Sequence, residues 1–195
     1  MINNFETIKK LLQFESIDDF YHLQIMKRKK EHPELGSNSY IVKTYYVKRI
    51  EELDFYKGEI ITLCKYHNAR AGINLNKRSF EKLAFQMIKK VADQIMNKDY
   101  KSIRKAFESV TGSYSNEKEK KWIIDIDHKN RRTINQIMVF IDNIEPYQNR
   151  FITLLETKNG FHLITKPFNV QLFKEIIECN NLEIHKDNPT ILYIP

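Results

Sequence analysis

The sequence predicts an α+β fold: a β-α-β-β-α-β unit over residues 121–195, of the ferredoxin-like or RRM kind, preceded by a basic, mainly helical αβ module over residues 1–120. Three observations carry this reading. Residues 121–127, Lys-Trp-Ile-Ile-Asp-Ile-Asp, run apolar side chains into two carboxylates spaced by one, the pattern of a strand end. Asn159-Gly160 stands between two β-type runs, the strongest short signal of a hairpin. The charge is also uneven: residues 1–120 carry all of the formal +7, while residues 121–195 balance nine basic against nine acidic side chains.

In the first module, residues 3–31 read as two helices. Phe5, Ile8, Leu11 and Leu12 share one stripe, Phe20, Leu23 and Ile25 continue it, and Ser16 or Asp18 can cap the second helix. Lys27-Arg28-Lys29-Lys30 would then close that helix, where cations meet the negative end of its dipole. A phosphate-binding role is the other reading of the run. His32-Pro33 and Gly36-Ser37-Asn38 mark a loop. Residues 40–47, rich in Tyr and Val, read as a strand, 51–67 as a helix despite Gly58, and 69–75 as a short strand. Residues 80–96 form an amphipathic helix through Phe80, Leu83, Met87, Val91 and Ile95, and a further helix covers about 100–110. The stretch 111–120, mostly Gly, Ser, Asn, Glu and Lys, reads as an exposed linker and sets the boundary between two parts of one compact domain.

From residue 121 the expected order is a strand over 121–127, a helix near 131–144 broken by Pro146 and Asn149, and a strand over 150–157. After the Asn-Gly turn come a strand over 161–166, a helix near 170–179, and a last strand over 182–194 interrupted by Asp187-Asn188-Pro189. No apolar run approaches a membrane span, and the start, Met-Ile-Asn-Asn-Phe-Glu, lacks a signal pattern. Cys64 and Cys179 have no metal-site spacing and read as reduced, half-buried thiols, so the expectation is a cytoplasmic protein with no membrane partner. A basic module beside a neutral one bearing carboxylates suits a polyanion held next to a metal, although a solvated surface would show the same balance.

The chemistry starts at Asp125 and Asp127. Alternate side chains of a strand share a face, so these two point one way while Ile124 and Ile126 enter a core. Two carboxylates on one face repel each other and resist desolvation. A divalent cation removes both difficulties, and hard oxygen ligands select Mg²⁺ or Mn²⁺. Solvated acids at a turn are the other reading of the same stretch. In a β-α-β-β-α-β unit, strands one and three are central neighbours, strand four flanks strand one, and both helices cover one face. His162 on strand three would therefore sit beside the two acids. Glu183, His185 and Asp187 share a parity on strand four, Glu156 lies at the hairpin, and Lys166 has the parity of His162. His128 reads as a solvated turn residue.

Asp125-Ile-Asp127, Asn159-Gly160-Phe161-His162 and Ile184-His-Lys-Asp187 resemble, in order and spacing, the three motifs of the archaeo-eukaryotic primase, or primase-polymerase, superfamily. The resemblance covers residues 121–195; the region before it, including 69–75, follows the family's first module loosely. It implies an archaeo-eukaryotic-primase-like catalytic core and two-metal nucleotidyl transfer. Asp125, Asp127 and Asp187 would hold Mg²⁺ or Mn²⁺, and His162 would donate to a triphosphate oxygen. Lys166 would add a phosphate contact, and Arg70, Lys77 and Arg78 would contact template or phosphate. The implied partners are nucleoside triphosphates and a single-stranded DNA template or primer. The chain carries no zinc-binding set or helicase segment, so priming would need a helicase or another replication protein. It departs from the family in having Asn159-Gly160 where Ser-Gly is frequent, and in lacking a basic residue after Asp187. Glu183 could replace Asp187 as the third carboxylate.

Two other readings compete. Asp127 with Glu156-Thr157-Lys158 resembles the Asp…Glu-x-Lys signature of Mg²⁺-dependent restriction-type nucleases. The third reading is a nucleic-acid-binding module that keeps the fold without the reaction.

Overall fold

A computed structural model of the chain describes all residues except 37, 116, 147–148 and 177–181. Among these residues the fold is α+β, with two antiparallel sheets. The second sheet is built from β6 (Trp122–Ile126), β7 (Phe151–Glu156), β8 (Phe161–Thr165) and β9 (Glu183–His185), in the order β7-β8-β6-β9. That is strand order 2-3-1-4 of a β-α-β-β-α-β unit, the order expected from the sequence. Helices α5 (Arg131–Asn143) and α6 (Val170–Ile176) cover one face of it. Asn130 caps α5 by accepting from the amides of Arg132 and Thr133. Ile134, Ile137 and Ile141 follow at helical spacing and pack on Ile124, Ile126 and Leu163.

The first sheet contains β1 (Ile2–Asn3), β2 (Asp19–Lys27), β3 (Tyr40–Val47) and β4 (Arg70–Asn74), together with β10 (Pro189–Ile194). Its order is β1-β10-β4-β2-β3, and the short β5 (Arg78–Ser79) pairs with the start of β2. Helix α1 (Phe5–Lys9) is a single short stretch, and α2 (Ile50–His67) packs Leu53, Ile60 and Cys64 into the main core against Leu23, Ile25 and Ile73. Burial of Cys64, a free thiol, pushes its pKa up to about 12. Helix α3 (Phe80–Met96) begins at Ser79, whose hydroxyl accepts from the Lys82 amide, and α4 (Ala106–Ser113) packs beside it around Phe20, Leu83 and Val110. No helix among the described residues is long and apolar enough to cross a membrane.

The structure corrects three expectations. The second helix expected within 3–31 is instead β2, the strand between β3 and β4. Phe20, Tyr21, Leu23 and Ile25 are all fully buried, because both faces of β2 are covered. A strand buried on both sides shows no polar alternation, so its apolar spacing mimics a helix. Lys27-Arg28-Lys29-Lys30 therefore leaves a strand, not a helix. The linker expected at 111–120 is still helical through Ser113, and Thr111 is fully buried. The last strand is two strands in different sheets: β9 ends at His185, and β10 enters the first sheet between β1 and β4. Residues 121–195 thus do not close on themselves. The reading of Cys179 and the end of the helix expected near 170–179 fall outside the described residues.

Asn76 ties the two sheets together. Its amide donates to the carbonyls of Lys121 and Lys186 at 3.1 and 3.0 Å, and its carbonyl oxygen accepts from the Lys121 amide at 2.7 Å. The helix-free faces of the two sheets meet, so Ile123, Leu155 and Ile164 join the main core. Part of this junction is apolar. One end is polar and open.

Candidate active site

The open end is a cavity of about 280 Å³ between the sheets. Asp125, Asp127, His162 and His185 line it from the second sheet, Arg28, Arg70 and Thr190 from the first, and Lys158 and Asn159 from the hairpin turn. Asp125 stands opposite His162 on one side and Glu183 on the other, because β6 runs between β8 and β9. The expected neighbourhood of Asp125, Asp127 and His162 is therefore present.

Asp125 is half-buried. Burial raises its pKa above the usual carboxylate range, Asp127 raises it further, and His185 opposes the shift. His162 is 9% exposed. Its Nδ1 lies 2.8 Å from Thr190 Oγ1, and its Nε2 lies 3.5 Å from Asp125 Oδ1. Burial lowers its pKa to about 4, with the charges of His185, Arg70 and Arg28 adding to the shift. The ring is neutral at pH 7, so its approach to Asp125 is not an ion pair.

The Asn-Gly turn sits against the end of β6. A Cβ on Gly160 would lie 1.8 Å from the Ile126 carbonyl oxygen and 2.7 Å from the His128 amide nitrogen. Only glycine permits this approach. It brings Lys158 and Asn159 to the mouth of the cavity beside Asp127. The turn is closed by the Thr157 amide bonding the Gly160 carbonyl at 3.0 Å and the Gly160 amide bonding Thr157 Oγ1 at 3.1 Å.

The opposite wall is cationic. Arg70 is 9% exposed, and its Nη2 lies 3.5 Å from Glu31 Oε1 without a hydrogen bond. Burial and the neighbouring Arg28 lower its pKa to about 10, which leaves it charged. A buried guanidinium nitrogen without an acceptor, facing a cavity, is matched by an oxyanion. Arg70 thus stands on the cavity wall, with Glu31 beside it.

The other expected residues are elsewhere. Asp187 lies past the Ile123–His185 pair, four residues along from Glu183, which faces Asp125. Asp187 lies two residues past the end of β9. Its carboxylate takes hydrogen bonds from Arg78 Nη2 at 3.2 Å and Asn76 Nδ2 at 3.1 Å. Three carboxylates from Asp125, Asp127 and Asp187 are therefore not gathered at one point; Glu183 is the carboxylate beside Asp125. Arg78 is fully buried, and it also donates to the carbonyls of Thr111 and Asn76. Lys77 is buried beside Glu15 and Asp19 at 3.0 and 3.5 Å. Both hold the fold and cannot reach a template. Lys166 is exposed past the far end of β8, roughly 13 Å along from His162 at about 3.3 Å per residue. Glu156 pairs across from Phe161, on the face opposite His162, and its carboxylate meets Lys129 at 3.3 Å. The Glu of the Asp127…Glu156-x-Lys158 pattern thus lies off the face that carries Asp125.

The donor set fits a hard divalent cation. Asp125 and Asp127 supply oxygen ligands whose mutual repulsion such an ion relieves, and Glu183 stands across from Asp125, with its Oε2 3.4 Å from His185 Nε2. Among the described residues, no three His, Cys, Asp or Glu side chains are already close enough to hold an ion, so carboxylate rotamers would have to turn inward. Sequence reasoning placed His185 on the strand flanking Asp125, but did not bring Arg28 or Thr190 to this cavity. Arg28 belongs to the basic run, and the strand assignment of β2 is what aims it here. Thr190 carried no local signal. No family model matches the chain, and no curated protein or solved structure matches it.

Proposed function

We propose that the protein is a metal-dependent nucleotidyltransferase of primase-polymerase type, acting on nucleoside triphosphates and a primed or unprimed nucleic-acid template. The observation that carries this reading is the cavity itself, with Asp125, Asp127 and neutral His162 on one wall and Arg28 and Arg70 on the other. Bound Mg²⁺ or Mn²⁺ would lower the pKa of the attacking 3′-hydroxyl and neutralise the leaving pyrophosphate. Asp125 and Asp127, with Glu183 in place of Asp187, are the residues that would hold it. Arg28 and Arg70 grip phosphate oxygens, which supplies the cations that the chain lacks after Asp187. His162 donates an uncharged hydrogen bond to a phosphate oxygen. The bond formed joins the primer O3′ to the α-phosphorus, and the bond broken releases pyrophosphate. The basic balance of residues 1–120 supports a polyanionic partner.

The test is nucleotide incorporation on a labelled primer–template with Mn²⁺ or Mg²⁺. Asp125→Asn or Asp127→Asn should abolish it, and full activity in either variant refutes the assignment. A second reading, a binding module without the reaction, draws on the absence of a pre-gathered ligand triplet among the described residues. It predicts no Mn²⁺ heat by calorimetry and template affinity unchanged in Asp125→Ala.

A further inference from the structure

We propose that Thr190 is a positioning residue for His162: its hydroxyl donates to Nδ1, fixing the ring as the tautomer that carries its proton on Nε2 and aims that N–H into the cavity. The tautomer assignment rests on geometry alone; the use of the N–H toward a phosphate rests on the nucleotidyl-transfer reading. Nε2 lies 3.5 Å from Asp125 Oδ1, and an ionised carboxylate only accepts hydrogen bonds. A bare Nε2 lone pair there would face a second acceptor. The proton is therefore favoured on Nε2, and Nδ1 becomes the acceptor. A hydroxyl can donate or accept, and Thr190 Oγ1 lies 2.8 Å from Nδ1. Thr190 is fully buried.

The position of Thr190 gives this contact a wider role. It lies on β10, paired with Ile73 of β4 in the first sheet, whereas His162 lies on β8 in the second. The ring that faces Asp125 is thus oriented from the opposite sheet.

The experiment is ¹⁵N NMR of the histidine rings of the full chain near pH 7, without nucleotide or metal. The His162 signals are assigned by their loss in His162→Gln. The wild type should show one Nε2–H tautomer. Thr190→Val keeps the side-chain shape but removes the donor, and should move the ring to Nδ1–H or a mixture. Thr190→Ser should restore the wild-type pattern, and Thr190→Ala is the second loss variant should the valine fail to fold. An Nδ1–H wild type, or an Nε2–H pattern unchanged in both loss variants, overturns the proposal. In incorporation assays Thr190→Val should raise the nucleotide KM about tenfold, on the scale of one lost hydrogen bond, with Thr190→Ser near wild type. A chain with no nucleotidyl transfer that still shows the tautomer change would refute the reaction and leave the Thr190 assignment standing.

Discussion

The fully buried guanidinium of Arg78 stands 3.2 Å from the carboxylate of Asp187, a partner 109 residues away in sequence. Burial raises the Asp187 pKa, while Arg78 and Asn76 pull it back down. The pair joins β5 to the segment between β9 and β10, so its role is to fasten the sheets. Asp187→Ala would strand a buried cation and should cost about 3 kcal/mol or more, seen as a lower urea midpoint. Mn²⁺ affinity should remain. A variant as stable as wild type that has lost Mn²⁺ binding would restore Asp187 as a ligand.

Gly160 gives a prediction of the opposite kind, a backbone contact with no charge. Gly160→Ala places a methyl 1.8 Å from the Ile126 carbonyl oxygen, which cannot move without breaking β6 from β8. The expected loss is about 3 kcal/mol or more, above the usual cost of overpacking. Gly112, where an added methyl would meet nothing within 4 Å, is the control site and should tolerate alanine. Equal stability of the two variants in chemical denaturation would disprove the close approach.

Asp125 should cost stability when no ion is bound. Its folded pKa lies above the value of 3.8 that an exposed Asp would have. The folded state then holds its proton more tightly, and stability falls as pH rises from 3.8 through the raised folded pKa, staying low above it. Asp125→Asn should therefore raise the melting temperature at pH 7 in chelator. Mn²⁺ should raise it in wild type and not in the variant. A wild type that melts above Asp125→Asn in chelator contradicts this.

His22 and His162 act in the reverse direction. Both are pushed down to about 4, chiefly by burial. An unfolded chain protonates such rings below about 6.5, so stability is present above that pH and is lost as the pH falls from there toward 4. Each ring accounts for roughly 3 kcal/mol at the acid limit. Urea titrations in steps of pH should show that slope, and His22→Gln should flatten about half of it. A slope unchanged in His22→Gln would mean that the ring is protonated in the folded state.

The cationic wall is tested by kinetics. Arg28→Ala and Arg70→Ala should each raise the nucleotide KM about tenfold or more, since a hydrogen bond to a charged group contributes about 1.5–3 kcal/mol. Lys166→Ala, at the far end of β8, should leave KM unchanged. An effect of Lys166 as large as that of Arg70 would move the phosphate site to the other end of the sheet.

The sequence by itself determined the parts of this protein that depend on short-range pattern. Period-two alternation around Asp125, the Asn159-Gly160 turn and the helical stripe of α5 specify the β7-β8-β6-β9 order, and with it the pairing of Asp125 with His162. These signals lie within a few residues of the elements they define, and strand parity then carries side chains to a common face. Only the tertiary structure decided which charges are free. Arg78 and Lys77 look like Arg70 in sequence, yet they are paired with Asp187, Asp19 and Glu15 away from the cavity, while Arg70 faces it with a nitrogen that lacks a hydrogen bond, beside Glu31. It also decided that β2 is a strand and that β10 crosses to the first sheet, which brings Arg28 and Thr190 to the cavity. The reason is physical: periodicity is local, but desolvation and pairing of a charge depend on partners a hundred residues away, and a strand covered on both faces leaves no alternation to read.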